Sequence, residues 1–400
     1  MNDVVVYGAT GYVGVLVAEH LAAHAPAGTS IALAGRSASR LAEVRARLNR
    51  DWPVIVADAG DPAAMQRLAG EARVVLSTVG PYAKYGRHLV HACAAAGTDY
   101  VDLTGEVLFV RDSAAENHDL ARSTGARIVH SCGFDSIPSD LGVHLLHAQA
   151  EADGAGALTD TTLVVSKLRG GLSGGTIDSI RNQVDLLKKD PALRQLVADP
   201  YVLSPYRAKE PDLGRQPDLV TLRGADVDPA LRGRLAPFVM APYNTRIVRR
   251  SNALRDWAYG RRFRYREAMR VGGWPLVAHA AKVGLGGLVL AFALPPTRFV
   301  ADRLLPKPGE GPSERTRRTG HFTVDLFTTT ESGKRYAARV RADGDPGYAA
   351  TAVMISESAL ALALDSPSFE GGVLTPATGI GDALVNRLRA AGMALTASPR

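Results

Sequence analysis

Over residues 1–150, short runs of apolar and β-branched residues alternate with segments whose apolar residues recur at helical spacing. This alternation is typical of βαβ units, in which helices connect the parallel strands of one sheet. The pattern therefore predicts an α/β fold with a doubly wound parallel sheet. The predicted strands are Val4–Tyr7, Ser30–Ala34, Val54–Ala57, Val74–Thr78, Tyr100–Leu103 and Arg127–His130. The predicted helices are Val13–Ala23, Ala38–Leu48, Pro62–Ala69, Gly86–Ala96 and Phe109–Ser123.

After residue 150 the pattern changes to longer strands and separate helices. The segment LTDTTLVVSKLRGG predicts a strand that leaves the first domain, and SGGTIDSIRNQVDLLKKD predicts a glycine turn that opens a helix. The segment GHFTVDLFTTTESGKRYAARVRA predicts a hairpin, because apolar residues alternate on both arms around a Glu-Ser-Gly turn. Further helices are expected over Tyr348–Leu364 and Gly381–Ala391. We therefore expect a first domain over 1–150, a second, α+β domain over 151–375 and a C-terminal helix over 376–400 that packs back on the molecule.

A basic and apolar segment over residues 246–294 stands out in the second half of the chain. Arginines are dense up to Arg270, and residues 271–294 are apolar and glycine-rich. A membrane-spanning helix needs about 20 mostly apolar residues, whereas only Val283–Leu294 is uninterrupted here. Three interpretations stay open: a buried helix beside a solvated charged face, an interfacial membrane helix, or an acyl-chain channel whose basic patch docks an acidic carrier protein.

Composition narrows the class of protein. With 46% hydrophobic and 22% charged residues among 400, the chain has the balance of a soluble globular protein. Its net charge of +7 favours acidic partners, such as a phosphate-bearing cofactor, a carrier protein or an anionic membrane surface. No nucleic-acid-binding motif is recognised, so we expect no nucleic-acid partner. The two cysteines, Cys93 and Cys132, and the absence of a recognisable signal peptide favour a cytoplasmic location.

A glycine turn follows the first predicted strand, in the segment VVVYGATGYVG. Glycines let the backbone approach a pyrophosphate, while the helix that follows directs its positive N-terminus at the anion. The position between a strand and a helix predicts a Rossmann-type dinucleotide site. The predicted binding residues in this turn are Gly8, Ala9, Thr10, Gly11, Tyr12, Val13 and Gly14.

The residues at the end of the second predicted strand indicate whether the dinucleotide is NAD or NADP. NAD-binding proteins commonly place an acidic residue there, but this chain has Arg36 and Ser37 in the segment LAGRS. A guanidinium can bind the 2′-phosphate that an aspartate would repel, so NADP(H) is the predicted cofactor. Asp58 follows the third strand, where it either approaches the adenine or caps a helix. The loop after the fourth strand should lie beside the nicotinamide, and its predicted binding residues are Thr78, Val79, Gly80 and Pro81.

Several of these motifs together resemble the saccharopine dehydrogenase-like oxidoreductases. The segments are GATGYVG, LAGRS, STVGPYAKYGRHLVHACAAAGTDYVDLTGE and CGFDSIPSDLG, and SGGT and GEGPSE are similar to parts of the second domain. Within that group the chain most resembles the actinobacterial trans-acting enoyl reductases. The resemblance implies an NADP-binding Rossmann domain, an α+β substrate domain and C-terminal helices that pack back. It also implies reduction of the double bond of a polyketide or fatty acyl chain carried on a separate synthase.

Enoyl reduction requires a group that stabilises the enolate and an acid that protonates it. Tyr82 and Tyr85 follow the loop predicted beside the nicotinamide, and we take them as candidate catalytic residues, with packing against the cofactor as the alternative. Two further motifs are expected to contact the substrate. Their residues are Cys132, Asp135, Ser136, Ser173, Gly174, Gly175 and Thr176. The alternative roles are packing and helix capping for the first motif and a tight domain junction for the glycine turn.

The cofactor motifs predict an NADPH-dependent oxidoreductase with no metal, and the family resemblance implies an enoyl reductase that acts on lipid or polyketide acyl chains. The carrier of the substrate would be an acyl carrier domain of a polyketide synthase. Two alternatives are a related oxidoreductase with another substrate and a non-catalytic lipid- or membrane-associated protein that keeps the cofactor fold. Peripheral membrane contact and a homodimer also stay open.

Overall fold

The computed structural model describes residues 1–170, 174–271, 311–365 and 370–400. Within these ranges the chain forms two seven-stranded sheets, one parallel and one mixed. The apolar segment from residue 272 to 294 lies outside the described residues, so its interpretations stay predictions. No helix among the described residues is both long and apolar enough to cross a membrane.

The parallel sheet confirms the predicted α/β fold class. Its strands are β1 (Asn2–Tyr7), β2 (Ile31–Gly35), β3 (Val54–Val56), β4 (Ala72–Ser77), β5 (Asp99–Asp102), β6 (Arg127–Val129) and β13 (Gly372–Leu374). They are arranged in the order β13-β6-β5-β4-β1-β2-β3. The strand order changes direction at β1, which pairs with both β2 and β4. This is the switch point at which open α/β sheets bind their ligands.

Helices cover both faces of the parallel sheet because its strands are apolar on both sides. Val4 and Val6 of β1 belong to one buried cluster, and Val5 and Tyr7 belong to another on the opposite face. The helices of this part are α1 (Tyr12–His24), α2 (Ala38–Leu48), α3 (Pro62–Gly70), α4 (Tyr82–Tyr85), α5 (Arg87–Ala96), α6 (Val107–Thr124) and α7 (Ile137–Ala152). All predicted strands and helices between residues 1 and 130 are present, with shifted ends.

The mixed sheet is built around β7, which enters it directly after α7. Its strands are β7 (Leu158–Arg169), β8 (Leu222–Arg223), β9 (Arg234–Pro237), β10 (Arg264–Arg270), β11 (His321–Thr330), β12 (Arg335–Asp343) and β14 (Ala394–Pro399), in the order β14-β12-β11-β7-β10-β9-β8. The predicted hairpin is confirmed as β11 and β12. The two strands are antiparallel, and they pair from His321 opposite Asp343 to Thr329 opposite Arg335. Helix α7 packs against this sheet and thereby joins the two halves of the molecule.

The remaining helices lie around the mixed sheet or return to the parallel one. They are α8 (Gly174–Lys189), α9 (Pro191–Ala198), α10 (Gly224–Val227), α11 (Ala241–Leu254), α12 (Glu314–Thr319), α13 (Ala349–Leu364), α14 (Pro376–Gly379) and α15 (Asp382–Ala390), with a short 3₁₀ turn at Arg207–Lys209. Helix α13 packs on α1 and on the parallel sheet, although it falls within the range predicted for the second domain. The chain end, predicted as a helix alone, also contains β14.

The basic segment contains three arginines that are buried inside the fold. Arg246, Arg249 and Arg250 lie on α11, and all three are buried. These three arginines are therefore part neither of a solvated charged face nor of a patch for a membrane surface or a carrier protein. Periodicity could not show this, because charged residues are buried only when the rest of the fold supplies partners for them. Other arginines of the segment are exposed, and for them the three interpretations stay predictions: Arg261, Arg262, Arg264 and Arg270.

Candidate cofactor and substrate site

The glycine turn after β1 has the geometry that a pyrophosphate site requires. Gly8 has a φ of +90°, and a β-carbon there would lie 2.7 Å from both the Thr78 hydroxyl and a Val79 methyl group. A β-carbon on Gly14 would lie 2.1 Å from the carbonyl oxygen of Gly8. Both positions therefore need glycine, which brings α1 close to the end of β1.

The start of α1 leaves its first N–H groups available to an anion. Gly11 precedes the helix without a side-chain cap, and the first turn contains no acidic residue. The positive end of the helix is thus uncompensated and points at the turn. Ala9 is fully buried and Val13 is partly buried against the core, so these two residues of the predicted set support the turn through packing.

Tyr12 attaches a distant part of the chain to the glycine turn. Its hydroxyl donates a hydrogen bond to the carbonyl oxygen of Pro312 at 2.9 Å. Its ring meets that of Tyr348 edge to face at 5.0 Å, and the guanidinium of Arg317 lies 5.7 Å from the ring centre. The segment around α12 therefore lies beside the proposed pyrophosphate site. Arg317 was not predicted, because a contact of such sequence separation leaves no local pattern.

The end of β2 presents an accessible cation. Arg36 is exposed and forms no hydrogen bond or ion pair with the described residues, so its guanidinium is free to bind a 2′-phosphate. Ser37 caps α2 by accepting a hydrogen bond from the backbone N–H of Arg40 at 3.4 Å. Arg40, which the sequence analysis missed, also reaches back to the carbonyl oxygen of Thr10 at 3.2 Å.

Asp58 lies at the same edge as Arg36. Its carboxylate accepts the backbone N–H of Gly60 at 2.8 Å, whereas Asp61 is the residue that caps α3. The capping role proposed for Asp58 is therefore wrong, and the adenine contact stays a prediction. Burial and the negative charge of Asp58 raise the pKa of Tyr7 to about 12, although the positive charge of Arg36 acts in the opposite direction.

The loop after β4 lies directly against the glycine turn. The hydroxyl of Thr78 donates a hydrogen bond to the carbonyl oxygen of Gly8 at 3.2 Å, and Val79 packs close to the same glycine. A cis peptide bond joins Gly80 to Pro81. The structure therefore brings the predicted residues of this loop together with those of the glycine turn, across the switch point.

Tyr82 is fixed in the fold by its hydroxyl. The hydroxyl donates to the carbonyl oxygen of Ser77 at 3.1 Å and accepts from the backbone N–H of Leu103 at 3.2 Å. Burial raises its pKa well above the usual range. These contacts favour the packing alternative for Tyr82. Tyr85 is partly exposed, and the ammonium of Lys84 lies 5.0 Å from the centre of its ring.

A buried polar network joins the ends of β5 and β6. Asp102 accepts hydrogen bonds from His130 at 2.7 Å and from the backbone N–H of Ser131 at 3.0 Å. The other ring nitrogen of His130 lies 2.8 Å from the hydroxyl of Ser113. Ser131, at a φ of +68°, is also hydrogen-bonded to the hydroxyl of Tyr243 on α11. This network fixes the loop that carries the predicted substrate residues.

Two of the predicted substrate residues after β6, Cys132 and Ser136, are buried and form contacts within the fold. Cys132 is fully buried, with its thiol directed at the carbonyl oxygen of Val129, and burial raises its pKa well above the usual range. These contacts favour the packing alternative for Cys132, and a substrate contact stays a prediction. Ser136 is also buried and bonds to Asn244 at 3.1 Å instead of capping α7.

Asp135, like Phe134 before it, is partly exposed, whereas Cys132 and Ser136 are buried. A β-carbon on Gly105, which follows β5, would lie 3.9 Å from an Asp135 carboxyl oxygen and 3.8 Å from the terminal methyl group of Met240. Loss of water raises the pKa of Asp135 to about 6. Its carboxyl group forms no hydrogen bond or ion pair within the part of the chain that the structure describes.

The second glycine turn leads into α8, and we call the region between this helix and the loops after β4, β5 and β6 the crevice. The backbone N–H of Gly174 donates to the hydroxyl of Tyr348 at 2.9 Å, and Gly175 and Thr176 belong to the first turn of the helix. Farther along α8, Ser179 donates to Glu106 at 3.0 Å. Ser173 lies outside the described residues. A substrate role for this turn stays a prediction.

Glu106 connects the cofactor loop with α8, a role that the sequence did not reveal. Its two carboxyl oxygens accept the backbone N–H groups of Tyr82 and Ala83, at 2.8 and 3.1 Å. Burial raises its pKa above the usual value for glutamate, although these hydrogen bonds favour the charged form. Among the described residues, no group of three or more His, Cys, Asp or Glu side chains is arranged to hold a metal ion.

Fold and site together define a class of protein, an oxidoreductase that binds a dinucleotide at the switch point of a parallel sheet. A family model described as the saccharopine dehydrogenase NADP binding domain matches residues 4–129. Apo saccharopine dehydrogenase (L-Glu forming) from Saccharomyces cerevisiae has the same fold over 99% of both chains, with a TM-score of 0.56 and 14% identity. The chain is an NADP-dependent oxidoreductase with a saccharopine dehydrogenase-like fold.

Mycobacterial relatives identify the family more closely. A protein of Mycobacterium tuberculosis (strain ATCC 25618 / H37Rv), provisionally named a trans-acting enoyl reductase, is 52% identical over 405 residues, covering 98% of this chain and 96% of the relative. The trans-acting enoyl reductase of Mycobacterium bovis (strain BCG / Pasteur 1173P2) is 49% identical over 409 residues, covering 98% and 97%. The chain therefore belongs to the trans-acting enoyl reductase family, and the predicted resemblance is confirmed.

Proposed function

We propose that this protein reduces the α,β-double bond of an acyl thioester that is carried on a separate polyketide synthase. The observation that carries the proposal is the similarity to trans-acting enoyl reductases, at 49% to 52% identity over nearly the whole chain. When bound, NADPH supplies the hydride for the β-carbon of such a thioester. The chain's own residues must then bind the acyl group and provide the proton for the α-carbon.

The cofactor half of the site supports the proposal through its fit to NADP. The glycine turn leaves no room for side chains at Gly8 and Gly14, so the backbone can approach the pyrophosphate. The unpaired guanidinium of Arg36 suits the 2′-phosphate. Thr78 holds the loop after β4 against this turn, where the nicotinamide half of the cofactor is expected.

The substrate half of the crevice favours an acyl chain over an amino acid with several carboxylates. A substrate such as saccharopine would need several fixed cations. Arg246 pairs with Asp218 at 2.8 Å, Arg249 donates to the carbonyl oxygen of Tyr265, and Arg250 donates to two buried carbonyl oxygens. These three arginines of α11 are engaged within the protein. They are therefore not available as the fixed cations that such a substrate would need.

The partner follows from the chemistry of the substrate. A long acyl chain that grows on a synthase stays attached to a carrier domain through a thioester, so the reductase must bind that domain as well as the chain. The net charge of +7 is favourable for an acidic carrier. The carrier is thus proposed to be the acyl carrier domain of a polyketide synthase that lacks its own reductase activity.

The test is a reduction assay with purified protein, NADPH and an α,β-unsaturated acyl group on an acyl carrier domain. We expect NADPH oxidation together with a mass increase of two hydrogen atoms in the acyl chain. A parallel reaction with the saturated thioester reports NADPH oxidation that is not coupled to reduction of the double bond. A second parallel reaction, with an aldehyde plus glutamate, reports saccharopine-type reductive amination. NADPH oxidation with the aldehyde and glutamate alone would contradict the proposal.

A further inference from the structure

One carboxyl group at the crevice is available for proton transfer. Asp135 lies in the loop after β6, beside the loop after β5 that contains Gly105. Adjacent strands are about 4.8 Å apart, so the ends of β4 and β6 are separated by roughly 10 Å. The loop after β4, where the nicotinamide is expected, and the loop that carries Asp135 thus lie at the same edge of the sheet.

Four other ionisable groups near this edge are already engaged in hydrogen bonds, in contrast to Tyr85, which is a phenol and not a carboxylic acid. One oxygen of Asp102 accepts a hydrogen bond from a buried histidine, and the other accepts from two backbone N–H groups. Both oxygens of Glu106 accept backbone N–H groups, and one also accepts a serine hydroxyl. The hydroxyls of Tyr82 and Tyr243 are hydrogen-bonded within the fold. Asp135 is the carboxyl group, among these described residues, whose oxygens are not committed to the protein.

Two further observations place Asp135 in the crevice. Its negative charge acts on the pKa of Tyr82, beside the cofactor loop, and on that of Tyr243 on α11. Asp135 therefore lies near both tyrosines. The side chain is also partly exposed, in contrast to the fully buried Asp102. Because the carboxyl group forms no hydrogen bond among the described residues, a ligand that binds it need not break one.

We propose that Asp135 is the general acid that protonates the α-carbon of the substrate. This inference rests on the proposed function. Hydride addition at the β-carbon forms a C–H bond and moves the electron pair of the double bond into an enolate. The O–H bond of protonated Asp135 then breaks as the C–H bond at the α-carbon forms, which leaves a carboxylate. The carboxylate takes a proton from water before the next turnover, while NADPH leaves as NADP⁺.

The surroundings of Asp135 suit this role. A general acid works best when its pKa lies near the working pH, and loss of water raises the pKa of Asp135 to about 6. An apolar acyl chain in the crevice displaces more water and raises the pKa further. A phenol with a strongly raised pKa, such as Tyr82, gives up its proton much less readily.

The direct test is Asp135→Asn, which keeps the shape of the side chain and removes the acidic proton. In single-turnover reactions we expect a rate about 100-fold below that of the unmodified protein, since general acids contribute factors of about 10² to 10⁴. The dissociation constant for NADPH should be unchanged. The matched control is Asp343→Asn, at an exposed position on β12, which should retain the full rate.

Two pH measurements separate proton donation from a structural role. We expect kcat/KM of the unmodified protein to fall as pH rises above about 6, and this dependence to be absent in Asp135→Asn. In the ligand-free protein, ¹³C-carboxyl NMR of labelled aspartate should show a group that titrates near this pH. That resonance should be missing from the spectrum of Asp135→Asn.

The outcomes distinguish this inference from the proposed function. If the unmodified protein reduces the enoyl thioester and Asp135→Asn keeps its rate and pH profile, Asp135 is not the acid. Loss of NADPH binding in Asp135→Asn would also overturn the inference, because the residue would then serve the cofactor. If the unmodified protein binds NADPH but reduces no enoyl thioester, the proposed function itself fails.

Discussion

At the scale of single residues, buried polar groups determine how the crevice is supported. Glu267 on β10 is fully buried and accepts hydrogen bonds from the hydroxyls of Ser139 and Tyr265 at 2.7 and 2.8 Å. Its other oxygen accepts from the amide of Asn244 at 3.0 Å. Asn244 in turn accepts from Ser136, next to Asp135. The network thus joins the mixed sheet to the loop that we propose to act on the substrate.

The burial of Glu267 predicts a pH dependence of stability. Burial raises its pKa from 4.5 to about 7, so between these values the folded chain holds a proton that the unfolded chain has lost. The free energy of unfolding should therefore fall as pH rises through this window, by about 3 kcal/mol in total. In Glu267→Gln this contribution should be absent, as measured by urea unfolding at pH 5 and pH 8.

The control for this measurement is Glu331→Gln, which changes an exposed glutamate in the turn between β11 and β12. Its pH dependence should equal that of the unmodified protein. An unaltered pH dependence in Glu267→Gln would show that Glu267 does not carry the effect.

At the scale of elements, α11 holds the two sheets together through its buried arginines. The guanidinium of Arg250 donates to the carbonyl oxygens of Leu203 and of Val373, which is on β13 of the parallel sheet. Burial lowers the pKa of Arg250 to about 10, which leaves the group charged near neutral pH. The neighbouring Arg249 donates to the carbonyl oxygen of Tyr265 on β10 of the mixed sheet. The helix therefore contacts β13 at the edge of the parallel sheet and β10 of the mixed sheet.

Replacement of this arginine should destabilise the whole fold. Arg250→Met fills a similar volume but leaves two buried carbonyl oxygens without their donors, at a cost of about 3 kcal/mol in the free energy of unfolding. Thermal and urea unfolding would measure the loss. Arg234→Met, at an exposed position on β9, is the matched control and should be nearly neutral. Equal stability of the two variants would contradict the role of Arg250.

At the scale of the whole molecule, the sequence predicts what depends on local pattern. The strands and helices around the glycine turn follow from apolar periodicity, and Arg36 is identified by its position at the end of β2. The hairpin of β11 and β12 likewise follows from alternation around a short turn. Similarity of motifs then indicated the family, which the relatives confirm.

The remaining features depend on contacts between distant parts of the chain. The strands β13 and β14 pair with β6 and β12, which lie far away in sequence, and β13 has only three residues. The arginines of α11 resemble a surface patch until their partners are known. Tyr12 could be placed at the turn from the sequence. Its contact with Pro312 could not be predicted, because the two residues lie far apart in the chain.

The central claim is that the crevice binds NADP through the glycine turn and Arg36. Calorimetric titration of the unmodified protein and of Arg36→Asp with NADPH and NADH tests it most directly, with Arg67→Asp on the exposed face of α3 as the control for charge. We expect a preference for NADPH of about 10- to 100-fold that is lost in Arg36→Asp and kept in Arg67→Asp. Equal affinity for both dinucleotides, unchanged in Arg36→Asp, would contradict the account.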